Sequence, residues 1–268
     1  MVSTVTLPPK ELLLLTSFSR LPLFPSLSET LSLCIGNLPE LCTLSLPHNL
    51  LSGLIQSQID NIQSLQILEF QGNNFSGHIP YQITYLSYLH FLNLSYNTLS
   101  GLTPNTLIGF AKVNTLDCSN NQLSSPIDLH KFDSLNHLKL SNNYFVRAVP
   151  SIIGKCSNLR TLLLDGNIFQ GSIPLKLGQI HQLRIFDVSR NSITDRIPTQ
   201  LANCRKLSFV MLTNLADPQS DQNSSFAASG GCGVGEFNAF DRVNLAQNYF
   251  TADLPQNMAA ACKNFTRI

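Results

Sequence analysis

Apolar residues recur along this chain in one frame, apolar-x-x-apolar-x-apolar, closed three positions later by asparagine. Leu41, Leu44, Leu46 and Asn49 set it, and Leu65, Leu68, Phe70 and Asn73 repeat it. It continues through Leu89/Leu92/Leu94/Asn97, Val113/Leu116/Cys118/Asn121, Leu135/Leu138/Leu140/Asn143, Leu159/Leu162/Leu164/Asn167 and Leu183/Phe186/Val188/Asn191. The asparagines are spaced by 24, 24, 24, 22, 24 and 24 residues. The last two apolar positions of each frame alternate as in a short strand and point inward. One such strand cannot bury its apolar side alone, so the copies are expected to stack as a parallel sheet over a shared core. The Asn lies where the chain turns inside that stack. Its amide both donates and accepts, which suits it to backbone groups that the turn leaves unpaired in its own and the adjacent repeat.

A fixed period in this range with a Leu/Asn frame is the signature of a leucine-rich repeat solenoid, an α/β fold that is mainly β. The second half of the repeat narrows the reading. Gly77-His-Ile-Pro80, Gly171-Ser-Ile-Pro174 and Asp195-Arg-Ile-Pro198 stand at matching offsets, with Gly101-Leu-Thr-Pro104 and Ala148-Val-Pro150 as weaker copies. This resembles the plant-specific repeat Leu-x-Gly-x-Ile-Pro of receptor-like kinase ectodomains, receptor-like proteins and polygalacturonase inhibitors. The resemblance implies a second short strand in each repeat and a right-handed superhelix with a concave parallel β-sheet. Gly53-Leu-Ile-Gln56 and Ser125-Pro-Ile-Asp128 depart from the motif, so interruptions of the second sheet are expected at both.

The frame breaks once. Leu207-x-x-Val210-x-Leu212 is followed by Leu215 where an Asn is due, and the pattern resumes only at Phe240-x-x-Val243-x-Leu245-x-x-Asn248. Between them runs a polar, glycine-rich stretch that reads as a loop. Gly231-x-Gly233-x-Gly235 inside it neither follows a strand nor opens a helix, so it is no phosphate loop. The expected organisation is a non-repeat segment over 1–30 (a degenerate signal or cap), about eight repeat strands over 31–215, an island over 216–239, and a last repeat with the start of another over 240–268. The segments 186–218 and 243–250 resemble the TOADSTOOL-type receptor-like protein kinases, whose longer island follows a similar Asn-Leu-x-Asp-Pro stretch. The chain opens mid-repeat near Leu31 without a cysteine-paired, Trp-containing cap, and Phe265-x-x-Ile268 matches the start of another strand. These features are those expected of a fragment or an aberrant gene product.

Charge and composition narrow the partners. A formal net charge of +1, with 12% charged residues, argues against nucleic acid and acidic membranes. No apolar run approaches the ~18 residues that would cross a bilayer. Leu12–Leu15 is hemmed in by Lys10, Glu11 and Arg20, which makes a poor signal peptide. Of seven cysteines, Cys118 holds an inward strand site, and Cys156 and Cys204 each open a repeat, where thiols act as small hydrophobes. Cys34 with Cys42, or Cys204 with Cys232, could pair. No Cys/His group has metal-ligand spacing, so neither a metal nor a cofactor is expected. Asn74, Asn93, Asn223 and Asn264 stand in Asn-x-Ser/Thr sequons and are candidate glycosylation sites.

Binding rather than catalysis is the leading function. No Ser/His/Asp, paired-carboxylate or kinase constellation (Val-Ala-Ile-Lys, His-Arg-Asp or Asp-Phe-Gly) occurs. In a solenoid the outward strand positions gather into columns on one concave face. Asp165, Asp187 and Arg190 fall there beside apolar Leu163 and Ile185, with Ser189, Phe209 and Met211 alongside. A mixed acidic, Arg and apolar patch suits a peptide ligand or another receptor ectodomain. The eight asparagines Asn49, Asn73, Asn97, Asn121, Asn143, Asn167, Asn191 and Asn248 are read as structural. The family resemblance implies the recognition ectodomain of a receptor-like kinase on the extracellular side of the plasma membrane, without its kinase domain. The alternative is a secreted or membrane-bound leucine-rich repeat protein such as a receptor-like protein or polygalacturonase inhibitor.

Overall fold

A computed structural model of the chain describes residues 30–101, 112–124, 127, 134–193, 197–213 and 242–244. Nine strands of three residues form one parallel sheet in strict chain order: Thr43–Ser45, Ile67–Glu69, Phe91–Asn93, Thr115–Asp117, His137–Lys139, Thr161–Leu163, Ile185–Asp187, Phe209–Met211 and Arg242–Asn244. Corresponding frame positions align across it, as Leu44↔Leu68, Leu68↔Leu92, Leu162↔Phe186, Phe186↔Val210 and Val210↔Val243. The middle residue of each of the first eight strands faces the core, as period-two geometry requires, and the flanking residues face out. The last pairing joins Phe209–Met211 directly to Arg242–Asn244, so the sheet continues past the break in the frame. The island over 216–239, and with it Asn223, Asn248 and Asn264, lies outside the described residues, as does the segment before Thr30.

A second set of short strands closes each repeat. Ser52–Leu54, Asn74–Gly77, Thr98–Gly101 and Gln122–Leu123 form one parallel sheet, and Val146–Arg147, Ile168–Gly171 and Ser192–Ile193 another. The interruption expected at 53–56 does not occur, since Ser52, Gly53 and Leu54 pair with Asn74, Phe75 and Ser76. This strand needs the left-handed glycine more than the proline. Gly53 keeps φ +75° although Gln56 replaces Pro, and the backbone still bends into the following turn. Among the described residues the second sheet divides between Gln122–Leu123 and Val146–Arg147, leaving the bond from Tyr144 N–H to the Leu123 carbonyl across the gap, while most of 125–128 lies outside the described residues. At the far side of the stack, 3₁₀ turns such as Tyr81–Tyr85, Ser151–Lys155 and Leu175–Gln179 follow Pro80, Pro150 and Pro174. Each proline is extended and its carbonyl accepts the first turn bond, from Ile83, Ile153 and Leu177 respectively.

Between these layers runs one continuous core of Leu, Ile, Val and Phe. Phe75 and Phe169 drop into it from the second strands and Phe145 from the residue just before one, and Phe145 stacks on Phe169 at 6.1 Å between ring centroids. Each such buried side chain contributes about 1.5–3 kcal/mol relative to exposure. Cys118 and Cys156 lie in this core, and Cys204 donates its thiol to the Leu177 carbonyl at 3.2 Å. Cys42 and Cys204 are both free, so neither sequence-proposed disulfide forms. Cys42 faces solvent, and Cys204 is turned into the core. Burial raises the Cys204 thiol to about 11, which keeps it protonated and unreactive.

The asparagine ladder ties the repeats together. Asn97 Nδ2 donates to the carbonyls of Leu94 and Ser95 in its own turn and of Phe70 in the preceding repeat, while its Oδ1 accepts from Phe75 N–H at 2.9 Å. Asn121, Asn143, Asn167 and Asn191 repeat the arrangement. Asn73 does the same for Leu46 and Leu51. Among the described residues, Asn49 donates within its own turn, to Leu46 and Pro47.

Candidate functional site

The outward strand residues form three columns on the nine-stranded sheet. The first runs Thr43, Ile67, Phe91, Thr115, His137, Thr161, Ile185, Phe209 and the second runs Ser45, Glu69, Asn93, Asp117, Lys139, Leu163, Asp187, Met211. In-register neighbours stand about 4.8 Å apart. A third column follows the strands through Ser95, Ser119, Ser141, Asp165 and Ser189, and its serines are buried. Leu163, Asp165, Ile185, Asp187, Phe209 and Met211 therefore meet on three consecutive strands and remain partly exposed. Ser189 plays a different part from a contact residue. It is 3% exposed, and both its N–H (2.9 Å) and its hydroxyl donate to Asp187 Oδ1.

A fourth column comes from backbone conformation. The residue before each described ladder Asn is left-handed: His48, Gly72, Tyr96, Asn120, Asn142, Gly166 and Arg190, all with φ between 53° and 69°. Their side chains reach along the stack. Asn142 Nδ2 donates to Asn120 Oδ1 at 3.0 Å, and Arg190 Nη2 donates to Asn142 Oδ1 at 2.9 Å. The same Arg190 nitrogen meets Asp165 Oδ2 at 2.6 Å, while Ser141 donates to Asp165 Oδ1. Asn120 and Asn142 escape the strand frame, which marks apolar periodicity; their signal is the position just before the ladder Asn.

The charges fall into pairs, with exceptions. Lys139 faces Asp117 at 3.4 Å and Arg190 faces Asp165. Asp187 has no ion pair among the described residues, and burial, foremost, pushes its carboxyl above the ordinary range despite the bonds from Ser189. His137 Nδ1 lies 3.0 Å from Thr161 Oγ1, and burial, then Lys139 and Arg160, holds its pKa down, favouring the neutral ring. Of the sequons, Asn74 is exposed at the start of a second strand, and Asn93 is half-buried on the sheet. Asn93 Oδ1 accepts from Ser95 N–H at 3.1 Å and Ser95 Oγ at 2.7 Å. Among the described residues no His, Cys, Asp or Glu cluster could hold a metal ion, and no helix is long and apolar enough to cross a membrane.

The Leucine Rich Repeat family matches residues 64–86, 88–110 and 182–204, which hold the same frame that the strands obey. The fold is a leucine-rich repeat solenoid. It resembles the ectodomains of plant receptor kinases. The ectodomain of the Arabidopsis thaliana membrane receptor kinase GASSHO1/SCHENGEN3, solved in complex with CASPARIAN STRIP INTEGRITY FACTOR 2, matches 87% of the chain at 26% identity and a TM-score of 0.76. The Arabidopsis receptor kinase HAESA, in complex with the peptide hormone IDA and the co-receptor SERK1, matches 89% at 27% identity and 0.78. The solenoid spans only 27% and 39% of those two chains. A plant ice-binding protein shares the fold alone, at 23% identity and a TM-score of 0.58 over 88% of this chain and 81% of its own. No curated protein matches.

Proposed function

We propose that the solenoid is a recognition unit that binds a peptide, or the ectodomain of a partner receptor, across its concave sheet. The observation that carries this is the convergence of Leu163, Asp165, Ile185, Asp187, Arg190, Phe209 and Met211 on one sheet face, apolar and charged side by side, with no internal element covering them among the described residues. Apolar area supplies affinity there, and fixed charges supply register and selectivity. The likeness to solved ectodomains in complex with peptide ligands supports the same reading. The unit belongs on this reading to a receptor-like kinase, with its binding face outside the plasma membrane and its catalytic domain elsewhere in the protein. The stretches 186–218 and 243–250 favour the TOADSTOOL-type subfamily. The exposed Asn74 suits a glycan in that setting better than the half-buried Asn93.

The test is surface plasmon resonance of the immobilised chain against a panel of plant receptor ectodomains and their peptide hormones. Binding is expected, and Asp187→Ala with Arg190→Ala should weaken it at least about tenfold, the loss of one charge-assisted contact. Binding unchanged by the pair would remove this patch, and no binding across the panel would overturn the reading.

A further inference from the structure

Four carboxylates lie on the described concave sheet, and their surroundings differ. Asp117 is paired with Lys139. Asp165 has both oxygens engaged, Oδ1 by Ser141 and Oδ2 by Arg190. Glu69 accepts from Ser45 Oγ at 2.6 Å and sits in a polar row between Ser45 and Asn93. Asp187 is the exception in kind. Ser189 holds its Oδ1, no partner among the described residues engages Oδ2, and its in-row neighbours are Leu163 and Met211. Ile185 and Phe209 flank it in the adjoining column. An anionic oxygen is thus held at fixed orientation among apolar neighbours, with no ion-pair partner among the described residues and Arg190 acting on it only as a secondary influence.

We propose that Asp187 and the frame of Leu163, Ile185, Phe209 and Met211 form a subsite for one lysine or arginine side chain of an extended peptide. This rests on the peptide-recognition reading and adds the chemistry of one ligand position. A long cationic side chain is amphipathic: its methylenes cover Leu163 and Met211, while its charged head reaches Oδ2. A neutral donor would leave the carboxylate's charge uncompensated in a half-buried setting. An acidic ligand residue would be repelled by Asp187 and by Asp165 one strand away. Arg190 does not compete for the position, because its guanidinium is anchored on Asp165 and Asn142.

The discriminating variant is Asp187→Asn. It deletes the charge and keeps the shape, and the chain itself shows that Asn makes the same clasp, since Asn93 Oδ1 accepts from Ser95 N–H and Oγ. The experiment pans a phage-displayed dodecapeptide library on the immobilised full chain and on Asp187→Asn, then measures the enriched peptides by fluorescence polarisation. The expected result is enrichment of Lys or Arg beside an apolar residue on the parent chain. That preference should vanish on the variant, with affinity at least about tenfold weaker. Enriched peptides without a basic preference, or a basic preference that survives Asp187→Asn, would overturn the subsite and leave peptide recognition standing. No enrichment above a blank surface would sink peptide recognition itself, and the subsite with it.

Discussion

Arg190 reaches past an entire repeat to Asn142: its Nη2 donates to Asn142 Oδ1 at 2.9 Å, 48 residues away in the chain, while holding Asp165 Oδ2 at 2.6 Å. The intervening position in that column is Gly166, whose bare Cα leaves the guanidinium room to pass. A Cβ there would collide with Asn142 Oδ1 and stand 3.2 Å from Arg190 Nη2. One missing side chain thus permits a contact across three repeats.

Gly166→Ala should therefore lower stability by about 1–2 kcal/mol, the cost of placing an L-residue at φ +64° with the local collision added. Urea denaturation checks it. Arg190→Gly should be nearly neutral, because an exposed ion pair contributes at most about 1 kcal/mol and glycine relieves the left-handed backbone.

The ladder should be graded along the stack. Asn121→Ala strands carbonyls of Leu94, Cys118 and Ser119 and the N–H of Leu99, all in buried surroundings. At about 1–3 kcal/mol for each buried group left unpaired, a loss of at least about 3 kcal/mol is expected. Asn49→Ala removes, among the described residues, bonds to Leu46 and Pro47 at a half-buried site, and should cost about 1 kcal/mol. Equal losses in the two variants would contradict the inter-repeat role.

Arg147 takes the place that Gly77, Gly101 and Gly171 hold in other repeats, with φ +67°. Arg147→Gly should raise the denaturation midpoint by the equivalent of about 0.5–1 kcal/mol, the relief of left-handed strain less the entropy that glycine adds to the unfolded chain. An unchanged or lowered midpoint would show that the Arg147 side chain stabilises more than its backbone costs.

Asp187 gives a pH-dependent expectation. Its folded carboxyl titrates above the ordinary range, chiefly because burial disfavours the charged form. The unfolded chain then releases this proton at lower pH than the folded one. The group's contribution is complete below the unfolded value and declines as pH rises through the folded value. Asp187→Asn removes the decline, so the variant should be the more stable near neutral pH, with the gap closing in acid. Denaturant titrations of both proteins across that window decide it. A stabilising loss of charge at a sheet face is what a binding residue shows when function opposes stability.

Much of this was legible in the residues. Leu159-x-x-Leu162-x-Leu164 places Thr161 and Leu163 outward and Leu162 inward, because alternation along a strand admits no other assignment once one face is buried. Asn167 follows from the same frame, since the turn after a strand leaves carbonyls that an amide can satisfy. Two readings went differently. The Gly53 strand pairs without its proline, because left-handed backbone rather than Pro sets the bend. Ser189, read as a partner-binding position, is buried and donates to Asp187 instead.

The sequence by itself determined the repeat, the register and which residues share the concave face, because a fixed period with one buried stripe leaves the strands a single way to stack. Only the tertiary structure decided which charges on that face are spoken for. Asp165 and Asp187 are equally acidic in the chain and lie on adjacent strands. Arg190 chooses between them through a left-handed backbone and the space above Gly166. That choice depends on distances across repeats, which no periodicity encodes, and it leaves Asp187 with an open oxygen among apolar neighbours.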